Sequence, residues 1–274
     1  MHKGDYQMKL KRFIGIALFL SICLAGKLEF ERFTIDDGLS QNTVYKVFQD
    51  SRGYIWLGTQ GGLDRFNGYE FKHYEHESND STSIVNGWIR AINEDQDGII
   101  WIGTVDGNFG WFDPYDEIGG EIDLFEEHPE FERPSYIYDI LFHGNYIFLT
   151  TLGSGLCRYD RTNGSTLWYN EDSTSEHYIK DRVFTDMFSI SEDEILLGDR
   201  SLIILNTKTN EHSEPYNELL EEKLGLPFDS IKVSAITRGR NGELFIGTWS
   251  DHGLIILNEK DKSVSQHFPL PPDP

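Results

Sequence analysis

Trp56-Leu57-Gly58-Thr59 returns as Trp101-Ile102-Gly103-Thr104, and the same succession of a large, an apolar, a small and a polar residue recurs in worn form at 148–151, 196–199 and 245–248. Thr150 replaces the glycine of the third copy and Asp199 the threonine of the fourth. Aligned on Gly58, Gly103, Thr150, Gly198 and Gly247, the copies are spaced 45, 47, 48 and 49 residues apart. Periods of roughly 20–50 residues mark stacked units, and four short strands per ~40–45 residues mark a propeller blade.

The same local pattern fills each unit. Runs rich in β-branched and aromatic residues at 44–49, 89–93, 136–142, 184–190 and 231–237 precede a turn and a short apolar run, which predicts five hairpins. Gly53, Gly98, Asn145, Asp193 and Gly242 occupy one place in these turns, and all are types that tolerate the positive φ a tight hairpin requires. A third strand then ends on Asn67, Asp113, Asp160, Asn206 or Asn258, whose side chains bond to the following backbone and start a turn. A fourth, more polar strand such as 70–74 or 263–268 closes the unit. The expected fold is all-β, a β-propeller of four-stranded antiparallel blades. Its five repeats span 27–268, at about 38–74, 83–125, 134–169, 180–215 and 230–268, ahead of a Pro-rich end at 269–274. Residues 28–34 read as a further fourth strand with no unit of their own. The five blades are therefore expected to be the front part of a larger, seven-bladed ring, with five units closing alone as the alternative; an incomplete ring leaves two open sheet edges that invite pairing with a second copy.

Composition agrees with many short strands and tight turns: 26 Gly, 14% aromatic residues, and no long helical periodicity. Residues 1–26 differ from the rest. Lys3, Lys9, Lys11 and Arg12 precede an apolar run at 13–25, and the small residues Cys23 and Ala25 stand before Gly26, the arrangement of a cleavable secretory signal. The apolar run is shorter than the ~20 residues a membrane-spanning helix needs. The chain carries a formal net charge of −22, and removing this basic segment leaves it more acidic still. Such a surface repels nucleic acid and argues against docking on an anionic membrane. With Cys23 removed, Cys157 has no partner for an intramolecular disulfide, and its place between Leu156 and Arg158 suggests packing.

If strands run up and down within each unit, the tight first and third connections share one face, while the second connection and the links between units share the other. Lengths vary on that second face, and insertions gathered on one face of a repeat array mark its binding face. The candidate ligand-binding residues there are Gln60, Asp106, Trp249, Asp251 and His252, with Trp88 near the entry of its strand. Trp249 stands out because other units place Gln60, Val105, Leu152 or Arg200 in its slot, so the repeat itself requires no indole. An exposed Trp offers a stacking face and a ring N–H donor; covering its neighbour is the alternative role. Trp56 and Trp101 belong to the repeat core. No catalytic residues, metal site or cofactor are expected. The nine His are scattered, Asp95 and Asp97 suit the turn they flank, and neither a Gly-rich phosphate loop nor a nucleophile elbow is present.

The stretch from Asp37-Gly38-Leu39-Ser40 through Gln49-Asp50-Ser51-Arg52-Gly53-Tyr54-Ile55-Trp56-Leu57-Gly58-Thr59 to Asn67-Gly68 closely resembles the two-component regulator propeller repeat. Residues 93–104 of the second unit match nearly as well. The resemblance implies an exported, extracytoplasmic ligand-sensing region of a bacterial two-component receptor, itself non-catalytic. It also implies a membrane-attached output such as a histidine kinase or diguanylate cyclase, and glycan fragments as a ligand class. It supplies no ligand residues to carry over. Two rivals remain: a propeller enzyme (lyase or glycoside hydrolase), marked by buried, mutually close carboxylates or a metal-ready His group in the central channel, and a protein-interaction scaffold, marked by an apolar surface patch.

Overall fold

Five sheets, each of four antiparallel strands in sequence order, make a five-bladed propeller. The computed structural model describes residues 30–126, 128, 133–171, 175, 177–180, 183–225, 231–249 and 252–270; the expected leader lies outside them. Blade 1 holds β1 (Val44–Gln49), β2 (Ile55–Thr59), β3 (Leu63–Phe66) and β4 (Phe71–Tyr74). Blade 2 holds β5 (Ile89–Glu94), β6 (Ile100–Thr104), β7 (Phe109–Asp113) and β8 (Ile118–Ile122). Blade 3 holds β9 (Ile137–His143), β10 (Tyr146–Thr151), β11 (Leu156–Asp160) and β12 (Thr166–Tyr169). Blade 4 holds β13 (Asp186–Ser189), β14 (Glu194–Gly198), β15 (Leu202–Asn206) and β16 (His212–Ser213). Blade 5 holds β17 (Val233–Arg238), β18 (Glu243–Thr248), β19 (Leu254–Asn258) and β20 (Ser263–Phe268).

The repeated residues have separate structural jobs. Asp50 and Asp95 each close a hairpin by accepting from two backbone N–H groups of the turn, Arg52 and Tyr54 or Asp97 and Ile99. Their second oxygens accept from the buried indoles, Trp56 Nε1 at 2.9 Å and Trp101 Nε1 at 3.0 Å. The indole is thus buried without stranding its donor. The repeat threonines tie the second connection, with Thr59 Oγ1 donating to Gly62 O at 3.1 Å and Thr248 Oγ1 to Gly253 O at 2.9 Å. The repeat glycines set the seams between blades. A Cβ on Gly58, Gly103 or Gly198 would meet Ile89, Ile137 or Val233 of the next blade at 2.9, 2.5 or 2.6 Å. On Gly247 its nearest neighbours would be Ser234 at 3.1 Å and Ala235 at 3.8 Å, both of its own sheet. Four apolar clusters fill the successive seams from blade 1 to blade 5.

The structure departs from expectation in three places. Positive φ occurs at Gly53, Gly98 and Gly242 (91°, 83° and 80°), but Asn145 and Asp193 do not adopt it. Blade 3 turns over the two residues Gly144 and Asn145, and Gly144 takes the left-handed position at φ 59°. Residues 30–33 carry no strand, and Thr34 instead caps a 3-10 turn, Ile35–Asp37, through its side chain. The link between blades 4 and 5 contains a helix, α1 (Asn217–Leu224). Leu and Glu favour helix there, and Leu220 with the preceding Tyr216 is buried in the seam cluster of blades 4 and 5.

Candidate functional site: the axial cavity

The first strand of every blade borders one cavity of about 520 Å³, lined by Tyr45 and Lys46 of β1, Arg90 of β5, Tyr138 of β9, Thr185 and Asp186 at β13, Ser234 and Ala235 of β17, and Trp249. These strands present residues to it where their pairing slips. Val44 pairs with Thr59 and Lys46 with Gly58, leaving Tyr45 as an extra residue. The same slip makes Arg90, Tyr138 and Ser234 the extra residues of blades 2, 3 and 5. In blade 4, Thr185 donates its N–H to Gly198 O although Asp186 already pairs with Gly198. A bulge re-aims side chains and sharpens strand twist, and here it does so five times around one axis.

The residue after each bulge stands opposite the repeat glycine column: Lys46, Ala91, Asp139, Asp186 and Ala235. Three of them form a partly buried polar knot. Lys46 Nζ donates to Asp139 Oδ1 at 3.0 Å, the Asp139 and Asp186 carboxyls are hydrogen-bonded, and Asp186 Oδ2 accepts from the Ile236 backbone N–H. Burial, then the Asp139 charge, pushes the Asp186 carboxyl up to about 8, against the Ile236 hydrogen bond and Lys46, which pull it down. Burial works against the Lys46 charge, but its attraction and hydrogen bond to Asp139, with help from Asp186, hold its pKa above the usual value. Arg90 lies with its guanidinium over three tyrosine rings, 4.6 Å from the Tyr138 centroid, 5.4 Å from Tyr136 and 5.7 Å from Tyr45.

Of the candidates read from sequence, Trp249 lines the cavity and is 74% exposed. Trp88 packs its ring 6.0 Å from that of Tyr45. Gln60 and Asp106 are exposed on the second connections of blades 1 and 2, and Asp106 Oδ2 accepts from Asn86 Nδ2 at 3.1 Å. His252 offers its backbone carbonyl to His267 Nε2 at 2.8 Å. None of these three lines the cavity, and Asp251 lies outside the described residues. The sequence reading missed Tyr45, Lys46, Arg90, Tyr138, Asp139 and Asp186. Their signal is the spacing apolar-x-x-apolar at 44–47, 89–92, 137–140, 184–187 and 233–236, where simple alternation would leave one residue between apolar ones. Elsewhere, the Cys157 thiol is fully buried and burial pushes its pKa well up, as packing requires. Among the described residues no helix is long and apolar enough to cross a membrane, and no group of three or more His, Cys, Asp or Glu is placed to hold a metal.

A larger depression of about 680 Å³, lined by Tyr178, Glu194, Ile204 and the 210–213 edge, lies outside blade 4. It draws on a single sheet and one link, whereas the axial cavity draws on all five blades.

Comparison with known proteins agrees with the propeller fold. A curated relative, histidine kinase P4 of Formosa agariphila, is 45% identical over 69 residues, which are 24% of this chain and 5% of that protein. The extracellular domain of BT3049 from B. thetaiotaomicron, assigned to a hybrid two component system, superposes with a TM-score of 0.69 at 22% identity, over 86% of this chain and 31% of that one. A streptogramin B lyase superposes with a TM-score of 0.63 at 19% identity, over 91% and 75% of the two chains. The last two likenesses show the fold. The chain thus spans a small fraction of the curated kinase and about a third of the sensor domain. Residues 38–61 and 83–106, the hairpins of blades 1 and 2, match the two component regulator propeller family.

Proposed function

We propose that this chain is the ligand-sensing propeller region of an extracytoplasmic two-component receptor, non-catalytic itself, and that it receives its ligand in the axial cavity. The observation that carries this reading is the convergence of five bulged strands on one cavity with an exposed indole, Trp249, in its lining. The matched repeats and the sensor-domain fold support the receptor setting. Glycan fragments suit a site that combines a free indole with tyrosines and polar side chains. The output domain and further blades of a larger ring belong to the same reading. Titration of the chain with a panel of sugars, sugar acids, peptides and small acids, followed by Trp fluorescence and thermal shift, tests it. Trp249→Ala is expected to weaken binding about tenfold or more, the loss of one stacked aromatic contact of ~1.5 kcal/mol. A ligand bound equally well by that variant would remove Trp249 from the site.

One observation favours a second reading. Asp139 and Asp186 are mutually close carboxyls at the axis, with Asp186 held protonated near neutral pH, as a general acid would be. Both are engaged by Lys46 and the Ile236 N–H, which gives them a structural task as well. Turnover of any panel compound that Asp186→Asn abolishes would establish the enzyme.

A further inference from the structure

Arg90 is an unneutralised cation in a strongly acidic chain. Its guanidinium rests on the π faces of Tyr45, Tyr136 and Tyr138, which hold it in place but cancel none of its charge. Its Nε is buried without a hydrogen-bond acceptor, and it forms no ion pair among the described residues. The indole of Trp88, packed on the same Tyr45 ring, likewise has a buried Nε1 with no acceptor. Of the two, only Arg90 borders the cavity, and its unpaired donor favours an oxygen-rich group there, since a buried donor left unpaired costs more than a hydrogen bond gains. The cavity charge points the same way. Lys46 and Asp139 neutralise each other, and Asp186 carries its proton over most of the neutral range, so Arg90 leaves the axis net positive.

From this geometry we infer that the axial cavity binds a small organic anion, whose carboxylate or equivalent acidic group docks on Arg90 while its body lies against Tyr45 and Trp249. A planar guanidinium fixed by stacking presents its N–H edge to a carboxylate in two parallel bonds. Tyr45 and Trp249, both exposed in the cavity lining, supply the contact surface for the rest of the molecule. The inference rests on the proposed sensing role of the cavity and adds the sign and place of the ligand charge.

The test compares matched acids and neutral analogues: acetate with acetamide, benzoate with benzamide, and glucuronate with glucose. Each is titrated into the chain while the Arg90 Nε–H and Trp249 Nε1–H signals are followed by NMR, assigned from Arg90→Lys and Trp249→Phe. At least one acid is expected to move the Arg90 signal while its neutral analogue does not. Arg90→Gln is expected to weaken that acid about tenfold or more, with Arg90→Lys retaining part of the affinity. Neutral analogues that move the Trp249 signal as strongly as the acids, with Arg90 silent, would overturn the inference and leave the sensing cavity intact. Silence of both signals toward every compound would overturn both.

Discussion

Asp186 illustrates how one side chain couples chemistry to stability. It faces Asp139, Lys46 and the Ile236 N–H, and its folded-state pKa of about 8 lies far above the 3.8 of the free side chain. Between those values the folded protein holds a proton the unfolded chain has released, so the contribution is whole below pH ~4 and is lost as pH rises through 8. Thermal unfolding measured from pH 4 to 9 is expected to show this loss, on the order of a few kcal/mol. Asp186→Asn keeps an acceptor for Ile236 and a donor for Asp139, so it is expected to flatten the profile and to exceed the wild type at pH 8. An unchanged slope would mean that Asp186 is ionised in the fold. Nothing in the sequence around Asp186 announces this behaviour. It depends on Lys46 and Asp139, 93 residues apart, meeting across the axis, and such a meeting follows from blade placement, which no local pattern encodes.

At the scale of strands and turns the sequence was far more readable. Hairpins and Asx turns follow from backbone sterics and short-range hydrogen bonds, so the columns of Gly, Asn and Asp carried them, and the recurring Trp marked the core. Two features escaped for physical reasons. The left-handed residue of blade 3 moved to Gly144 because a two-residue turn places it one position earlier, and the bulges hid because register is a property of two strands together. The glycine column gives a sharp comparison. Gly103→Ala forces a Cβ to 2.5 Å from Ile137 and is expected to cost about 1–3 kcal/mol. Gly247→Ala meets nothing closer than 3.1 Å, a Ser234 hydroxyl that can rotate away, and is expected to stay within about 0.5 kcal/mol of the parent. Denaturant midpoints of the two variants check this; equal losses would show that Gly247 is packed like its counterparts.

Over the whole molecule the seams set an order of stability. Blades 2, 3 and 4 are packed by apolar clusters on both sides, whereas each of blades 1 and 5 shares one such cluster. Native-state hydrogen exchange is therefore expected to be slowest in β6, β10 and β14 and faster in β2 and β18, because local opening follows the number of packed faces that must part. Uniform protection across the five sheets would count against this gradient. The knot of Lys46, Asp139, Asp186 and Ile236 works across the same architecture, drawing blades 1, 3, 4 and 5 onto a single point. Like spokes pegged into one hub, those four sheets cannot shift independently there. A molecule that wedges itself between the pegs would be felt at the rim of four of them together.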